Sequence, residues 1–211
     1  MTTTVLLVRH GQTESNITGF FMGWSDEDIN DLGYTQARSL AFRLAHLPIA
    51  SVYTSPLKRA HNTALILAKP HNLELKVLDD LIEIQLGDWQ GLHMDEISQK
   101  WPELWKQSRI DPSEVTMPNG ESFQQVTERT TRAFEMIVAD NQDKHVAMVT
   151  HDVVIRVLAA HVLGASNSIY RRFEISNASL STIRVTDGKA RLVTLNDTSH
   201  LDQSNLIGVK Y

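Results

Sequence analysis

The chain has 211 residues, 42% of them hydrophobic, enough to bury one substantial core and too few to make a second full domain the expectation. Lys and Arg total 20 against 25 Asp and Glu, a net charge of -5, so no general basic surface is available for nucleic acid or an acidic membrane, and any anion site must be local. No apolar run approaches the roughly 18 to 20 residues that span a bilayer, the N-terminus lacks a signal-peptide layout, and the absence of cysteine excludes disulfides, thiolate nucleophiles and sulfur-ligated zinc. The chain reads as cytoplasmic.

Val5 to Val8 is a continuous apolar run, closed by Arg9, His10 and Gly11, as expected of a strand buried on both faces that stops in a loop. Ala37, Leu40, Ala41, Leu44 and Leu47 then recur at helical spacing until Pro48. Val52 to Thr54 reads as a second strand, and Ser55-Pro56 as an N-cap with proline at the first helical position, opening a helix that carries Arg59, Ala60, Ala64 and Leu67. Leu73, Leu75 and Val77 alternate, while Ser122 and Gln125 match a capping box for a helix through Val126, Thr130, Ala133, Phe134 and Ile137. Val146 to Val149 is another buried strand, ending in Thr150-His151-Asp152 and followed by a helix finishing near Gly164. Leu180 to Val185 and Leu192 to Leu195 read as later strands. The stretch from Trp101 to Gly120, with three prolines and weak periodicity, reads as an insertion and a candidate lid. The alternation predicts a single α/β domain over 1–211, a three-layer α/β/α sandwich with a mostly parallel central sheet, whose ligands bind beyond the carboxyl ends of the strands.

That edge receives Arg9 and His10 from one strand, His151 from another and Arg59 from the start of a helix, where anions are favoured. Glu83 lies in the otherwise apolar run Leu81-Ile82-Glu83-Ile84, where a carboxylate without a partner is costly. Guanidinium groups can each hold two phosphate oxygens, an imidazole can attack phosphorus, and a carboxyl group can protonate the leaving oxygen, so the grouping suits phosphoryl transfer. The remaining histidines, His46, His61, His71, His93, His145, His161 and His200, have no tight metal-ligand spacing and read as surface or packing residues. Phe20, Phe21, Met22 and Trp24 either line the organic part of a ligand or pack on the domain. Trp89 reads as core, and Trp101 and Trp105 as anchors of the insertion.

The segment Val8-Arg9-His10-Gly11-Gln12-Thr13-Glu14-Ser15-Asn16 resembles the opening motif of the histidine phosphatases, the phosphoglycerate mutase-like proteins. The resemblance continues in family order through Ser55-Pro56-Leu57-Lys58-Arg59, Glu83 with Gly87-Asp88-Trp89, Gly120-Glu121-Ser122 and Val149-Thr150-His151. It implies that His10 is phosphorylated, that Arg9, Asn16, Arg59 and a protonated His151 hold the phosphoryl group together with Gly23 and Asp152, and that Glu83 is the acid/base. It implies no cofactor and no metal, with a small phosphorylated metabolite as partner and a homodimer as an open expectation. Where many members have glycine after the second histidine, this chain has Asp152, whose side chain needs another place. The short connection from Glu83 to Trp89 looks like the phosphatases, and the tail from Asn196 to Leu201 resembles tails of metal-independent phosphoserine phosphatases. The expected activity is therefore metal-independent hydrolysis of phosphoserine, a phosphoglycerate derivative, α-ribazole 5'-phosphate or a sugar phosphate. A cofactor-dependent phosphoglycerate mutase and a non-catalytic phosphate-binding regulatory domain stand as alternatives.

Overall fold

The computed structural model describes residues 1–201; positions 202–211 of the expected domain lie outside the described residues. Six strands form one sheet in the order β3-β2-β4-β1-β5-β6. The first four strands in that order, β3 (Leu75–Val77), β2 (Ile49–Thr54), β4 (His145–Thr150) and β1 (Thr2–Arg9), run parallel. β5 (Leu180–Thr186) joins β1 antiparallel, and β6 (Lys189–Asp197) joins β5 the same way.

The period-2 geometry of a strand divides the apolar run of β1 between two cores. Val5 and Leu7 point to the face shared with Val146, Met148 and Ile155, covered by α6 (Phe123–Asp140) and α7 (Asp152–Val162). Leu6 and Val8 point to the face shared with Leu40, Leu44, Ala64 and Leu67, covered by α2 (Asp31–Leu44) and α3 (Lys58–Ala68). Burial on both faces is why the run is uninterrupted rather than alternating. The α6 capping box forms as expected: Ser122 Oγ accepts from the Gln125 N–H at 3.2 Å, and Gln125 Oε1 accepts from the Ser122 N–H at 2.8 Å.

Two expectations are corrected. Ser55 is not an N-cap, because α3 begins at Lys58 after an extended Leu57. Pro56 and Leu57 separate Ser55 from the helix, and its hydroxyl oxygen accepts from the Leu57 N–H at 3.3 Å while lying 2.8 Å from His151 Nε2. The stretch 101–120 is also more regular than its weak periodicity suggested. It holds α5 (Pro102–Ile110), preceded by a helix missed in the sequence, α4 (Met94–Lys100), and it packs Trp101, Leu104 and Trp105 onto the main core.

Candidate active site

One cavity of about 470 Å³ opens over the carboxyl ends of β1 and β4, and its walls include Arg9, His10, Asn16, Gly23, Arg59, Glu83 and Asp152. His10 follows β1 directly. Its N–H donates to Thr150 O at 3.0 Å and its carbonyl accepts from Ala178 N at 3.0 Å, so the sheet ladder sets its position. The Gly11 carbonyl lies 2.7 Å from His10 Nδ1 and can only accept, so the ring proton sits on Nδ1 and Nε2 keeps its lone pair. The loop needs glycine here: a Cβ on Gly11 would lie 2.6 Å from Gly33 O, at the first turn of α2. Burial, then Arg59 and Arg9, push the His10 pKa well below its ordinary value, which keeps the ring neutral.

His151 follows β4 in the same way, its ring centroid 5.2 Å from that of His10. Nε2 shares a hydrogen bond with Ser55 Oγ, whereas Nδ1 is buried with no partner among the described residues. Burial, followed by Arg59, lowers its pKa as well, so the protein alone favours neutral His151. The protonated ring expected to act on the transferring group therefore requires that group beside it, because a second cation next to Arg9 and Arg59 needs an anion to stabilise it.

Arg9 donates from Nη1 to Ile175 O, while its buried Nε has no partner among the described residues. Arg59, from the first turn of α3, donates to Ser25 O at 2.8 Å and Gly23 O at 2.7 Å. Gly23 therefore presents its carbonyl to Arg59, so of its two main-chain groups only the N–H has the polarity to meet an anion. Asn16 Oδ1 accepts from the Thr13 N–H at 3.1 Å and from Asn177 Nδ2 at 2.9 Å, which leaves its own Nδ2 as the donor end. The Asp152 side chain finds the other place expected of it, with Oδ1 also 3.6 Å from Arg9 Nη1, and the phosphate-facing role expected of this residue falls to its main-chain N–H. Both oxygens accept from Arg156 Nε at 3.0 Å, and Oδ2 also accepts from the Tyr170 hydroxyl at 3.1 Å.

Glu83 is partly buried on a loop after Leu81. Oε1 accepts from the Ile84 N–H at 2.9 Å and Oε2 from the Val153 N–H at 3.4 Å. Burial, then the neighbouring Asp152 carboxylate, raises its pKa above the ordinary value, which favours the protonated form of an acid. Its main chain is held by a residue that the sequence reading missed. Buried Arg129 of α6 donates to Asp80 O at 2.9 Å, Ile82 O at 2.6 Å and Glu83 O at 3.0 Å, and pairs with both oxygens of Glu121 at 2.9 and 3.0 Å. Glu121 also accepts from the Gln85 N–H at 2.8 Å. The signal was present: Arg129 lies on the buried stripe of α6 with Val126, Thr130 and Ala133, where an unpaired charge would be costly.

The outer walls are largely apolar. Phe20, Phe21 and Met22 line the cavity, and Phe21 meets Trp105 edge-on at 5.9 Å between ring centroids. Trp24 instead donates from its indole N–H to Glu83 O at 2.6 Å. Trp89 is core, as expected, and the tail is pinned through Arg43, which contacts Asp197 and, at 3.2 Å, His200 Nδ1. Among the described residues no group of three or more His, Asp or Glu could hold a metal ion, and no helix is long and apolar enough to cross a membrane.

A family profile described as the histidine phosphatase superfamily (branch 1) matches residues 5–198. Phosphoserine phosphatase 1 of Hydrogenobacter thermophilus is 34% identical over 199 residues, covering 94% of each chain. A metal-independent phosphoserine phosphatase of Arabidopsis thaliana is 35% identical over 206 residues, covering 94% of this chain and 83% of the relative. The solved structure of YhfR from Bacillus stearothermophilus superposes with a TM-score of 0.91 at 31% identity, over 95% of this chain and all of that one (100%).

Proposed function

The chain belongs to branch 1 of the histidine phosphatase superfamily, a phosphoric monoester hydrolase by family and by relatives, and from that premise we propose that it cleaves a small phosphorylated metabolite without a metal, through a phosphohistidine on His10. The observation that carries this reading is the pairing, in one cavity, of an imidazole locked with a free Nε2 lone pair and a carboxyl group biased toward its protonated form.

In the first half-reaction the Nε2 lone pair of His10 forms a bond to phosphorus as the ester P–O bond breaks, and Glu83 passes its proton to the departing oxygen. In the second, Glu83 as carboxylate takes a proton from water, the resulting hydroxide oxygen bonds to phosphorus, and the P–N bond breaks to release phosphate and restore neutral His10. Arg9, Arg59 and the Asn16 amide neutralise charge on the transferring oxygens, where positioned donors contribute most to phosphoryl transfer. His151 takes up a proton only when the phosphoryl dianion lies beside it, with its unpartnered Nδ1 as the available site. The wall supplied by 101–120 closes the cavity over the substrate. The relatives' names make phosphoserine the first substrate to assay.

The test combines turnover with trapping. Hydrolysis of 4-nitrophenyl phosphate and of phosphoserine should continue in excess chelator, and brief exposure to labelled substrate should leave acid-labile, base-stable label that His10→Ala abolishes, with activity falling by about 10⁴ or more. Label on another residue, or activity restored only by a divalent ion, overturns the mechanism. Efficient interconversion of phosphoglycerates with a bisphosphate primer would establish the mutase alternative.

A further inference from the structure

The cavity contains more positive charge than one phosphoryl group needs. Five arginines line it: Arg9, Arg59, Arg109, Arg156 and Arg171. Arg9 and Arg59 are the charge neighbours of His10, and Arg156 is bound to the Asp152 carboxylate. Arg109 and Arg171 are left, from α5 and from the turn at 167–172. Neither figures among the charges acting on His10, whereas each is near the other: Arg109 is the leading charge lowering the Arg171 pKa, after burial.

Both side chains are held on the wall. Arg171 donates from Nε and Nη2 to Ser108 O, at 3.3 and 3.1 Å, which leaves Nη1 open to another acceptor, and the Arg109 guanidinium lies 5.6 Å from the Trp105 ring centroid. Among the described residues no carboxylate comes within ion-pairing distance of either; Asp152 pairs with Arg156 and, at 3.6 Å, with Arg9, and Glu174, though in the same wall, pairs with neither. Two adjacent guanidinium groups facing one cavity, in a chain whose net charge is -5, repel each other until an anion lies between or beside them. The apolar side chains Phe21, Trp105 and Phe173 form part of the same cavity lining.

We infer that Arg109 and Arg171 form a distal anion site, so that the preferred substrate is a phosphomonoester whose organic body lies along the apolar wall and ends in a second anionic group. The inference rests on the phosphomonoesterase reading of the inner site and adds the substrate's other end. Neutral-ended esters enter the same cavity but leave the pair unsatisfied.

A matched series of aryl phosphates tests this. Each carries, on an arm of one to three carbons, either a carboxylate, a phosphonate or an uncharged carboxamide, so that the leaving phenol stays comparable. At one or more arm lengths, kcat/KM should favour the carboxylate or the phosphonate over the carboxamide by about threefold to tenfold, the range for charge-assisted contacts partly exposed to water. The preferred charged group identifies the chemistry of the natural terminus. The preference should shrink with added salt and disappear in the Arg109→Gln/Arg171→Gln variant, where the charged esters lose more than the carboxamides. No charge preference at any arm length, or equal losses on charged and uncharged esters in the variant, overturns the distal site while leaving the inner chemistry intact. Failure to hydrolyse any ester of the series would overturn the phosphatase reading itself, and the distal substrate site with it.

Discussion

The inner and outer ends of the cavity are built by different means. At the inner end Arg9, His10 and His151 extend two parallel strands, are almost fully buried, and take their positions from main-chain hydrogen bonds such as His10 N–H to Thr150 O. At the outer end Arg109 and Arg171 are exposed and rest on side-chain contacts with Trp105 and on the Ser108 carbonyl. Groups that must meet phosphorus in one geometry therefore stand on the most rigid part of the fold. Groups that meet the organic body stand on a helix and turn that can change without disturbing the sheet. Glu83 lies between these regimes: it is on a loop, and Arg129 with Glu121 supplies the rigidity that a strand would otherwise give.

If that division holds, changing Glu83 should alter chemistry without altering outer-wall recognition. Glu83→Gln should slow release of alkyl alcohols by about 10² to 10⁴ and slow aryl esters less in the first step, because phenolates leave without much protonation. Single-turnover kinetics measure both, and equal losses would move the acid elsewhere. The intermediate should also persist longer, because water activation uses the same carboxylate.

Breaking the clamp behind Glu83 should have a smaller effect on rate and a larger one on stability. Arg129→Met leaves Glu121 partly buried without its partner and the Asp80 and Ile82 carbonyls without their donor, while Glu83 O keeps the Trp24 indole N–H, a change expected to cost about 3 kcal/mol in denaturant unfolding. Adding Glu121→Gln should recover part of that loss, because the orphaned charge is removed. Strict additivity of the two substitutions would mean that the pair does not act as a unit. Alkyl phosphates should lose more activity than aryl phosphates in Arg129→Met, the signature of a displaced acid rather than a damaged fold.

The gentlest probe is pH. His10 and His151 have folded-state pKa values below the usual 6.5, so the unfolded chain binds protons that the native state refuses, and stability must fall as pH drops through about 6.5 and below. Each histidine contributes at most about 1.4 kcal/mol per pH unit across that window. Glu83, with its pKa raised above 4.5, works in the opposite sense: its contribution is full below that value and is lost as pH rises through its folded pKa. Thermal unfolding between pH 4 and 8 should therefore show a slope that His151→Asn reduces, and an unchanged slope would contradict the buried neutral pair.

What could be read without coordinates depended on how far a residue's role is encoded in its neighbours along the chain. The run Val5 to Val8, the α6 capping box and the order of Arg9, His10, Arg59, Glu83 and His151 are local patterns; together they determined the strand-helix alternation, the sheet edge and the chemical inventory of the inner site. Ser55-Pro56 looked like a helix start for the same local reason, whereas the helix begins at Lys58 and the Ser55 hydroxyl also meets His151, distant in sequence. Only the tertiary structure decided that Arg129 supports Glu83, that Asp152 belongs to Arg156 and Tyr170, that His151 favours its neutral form and that Arg109 and Arg171 share a wall. Each of these depends on burial and on charges brought together across the chain, and the strength of such interactions is set by distance and desolvation, which no spacing of residues along a sequence specifies.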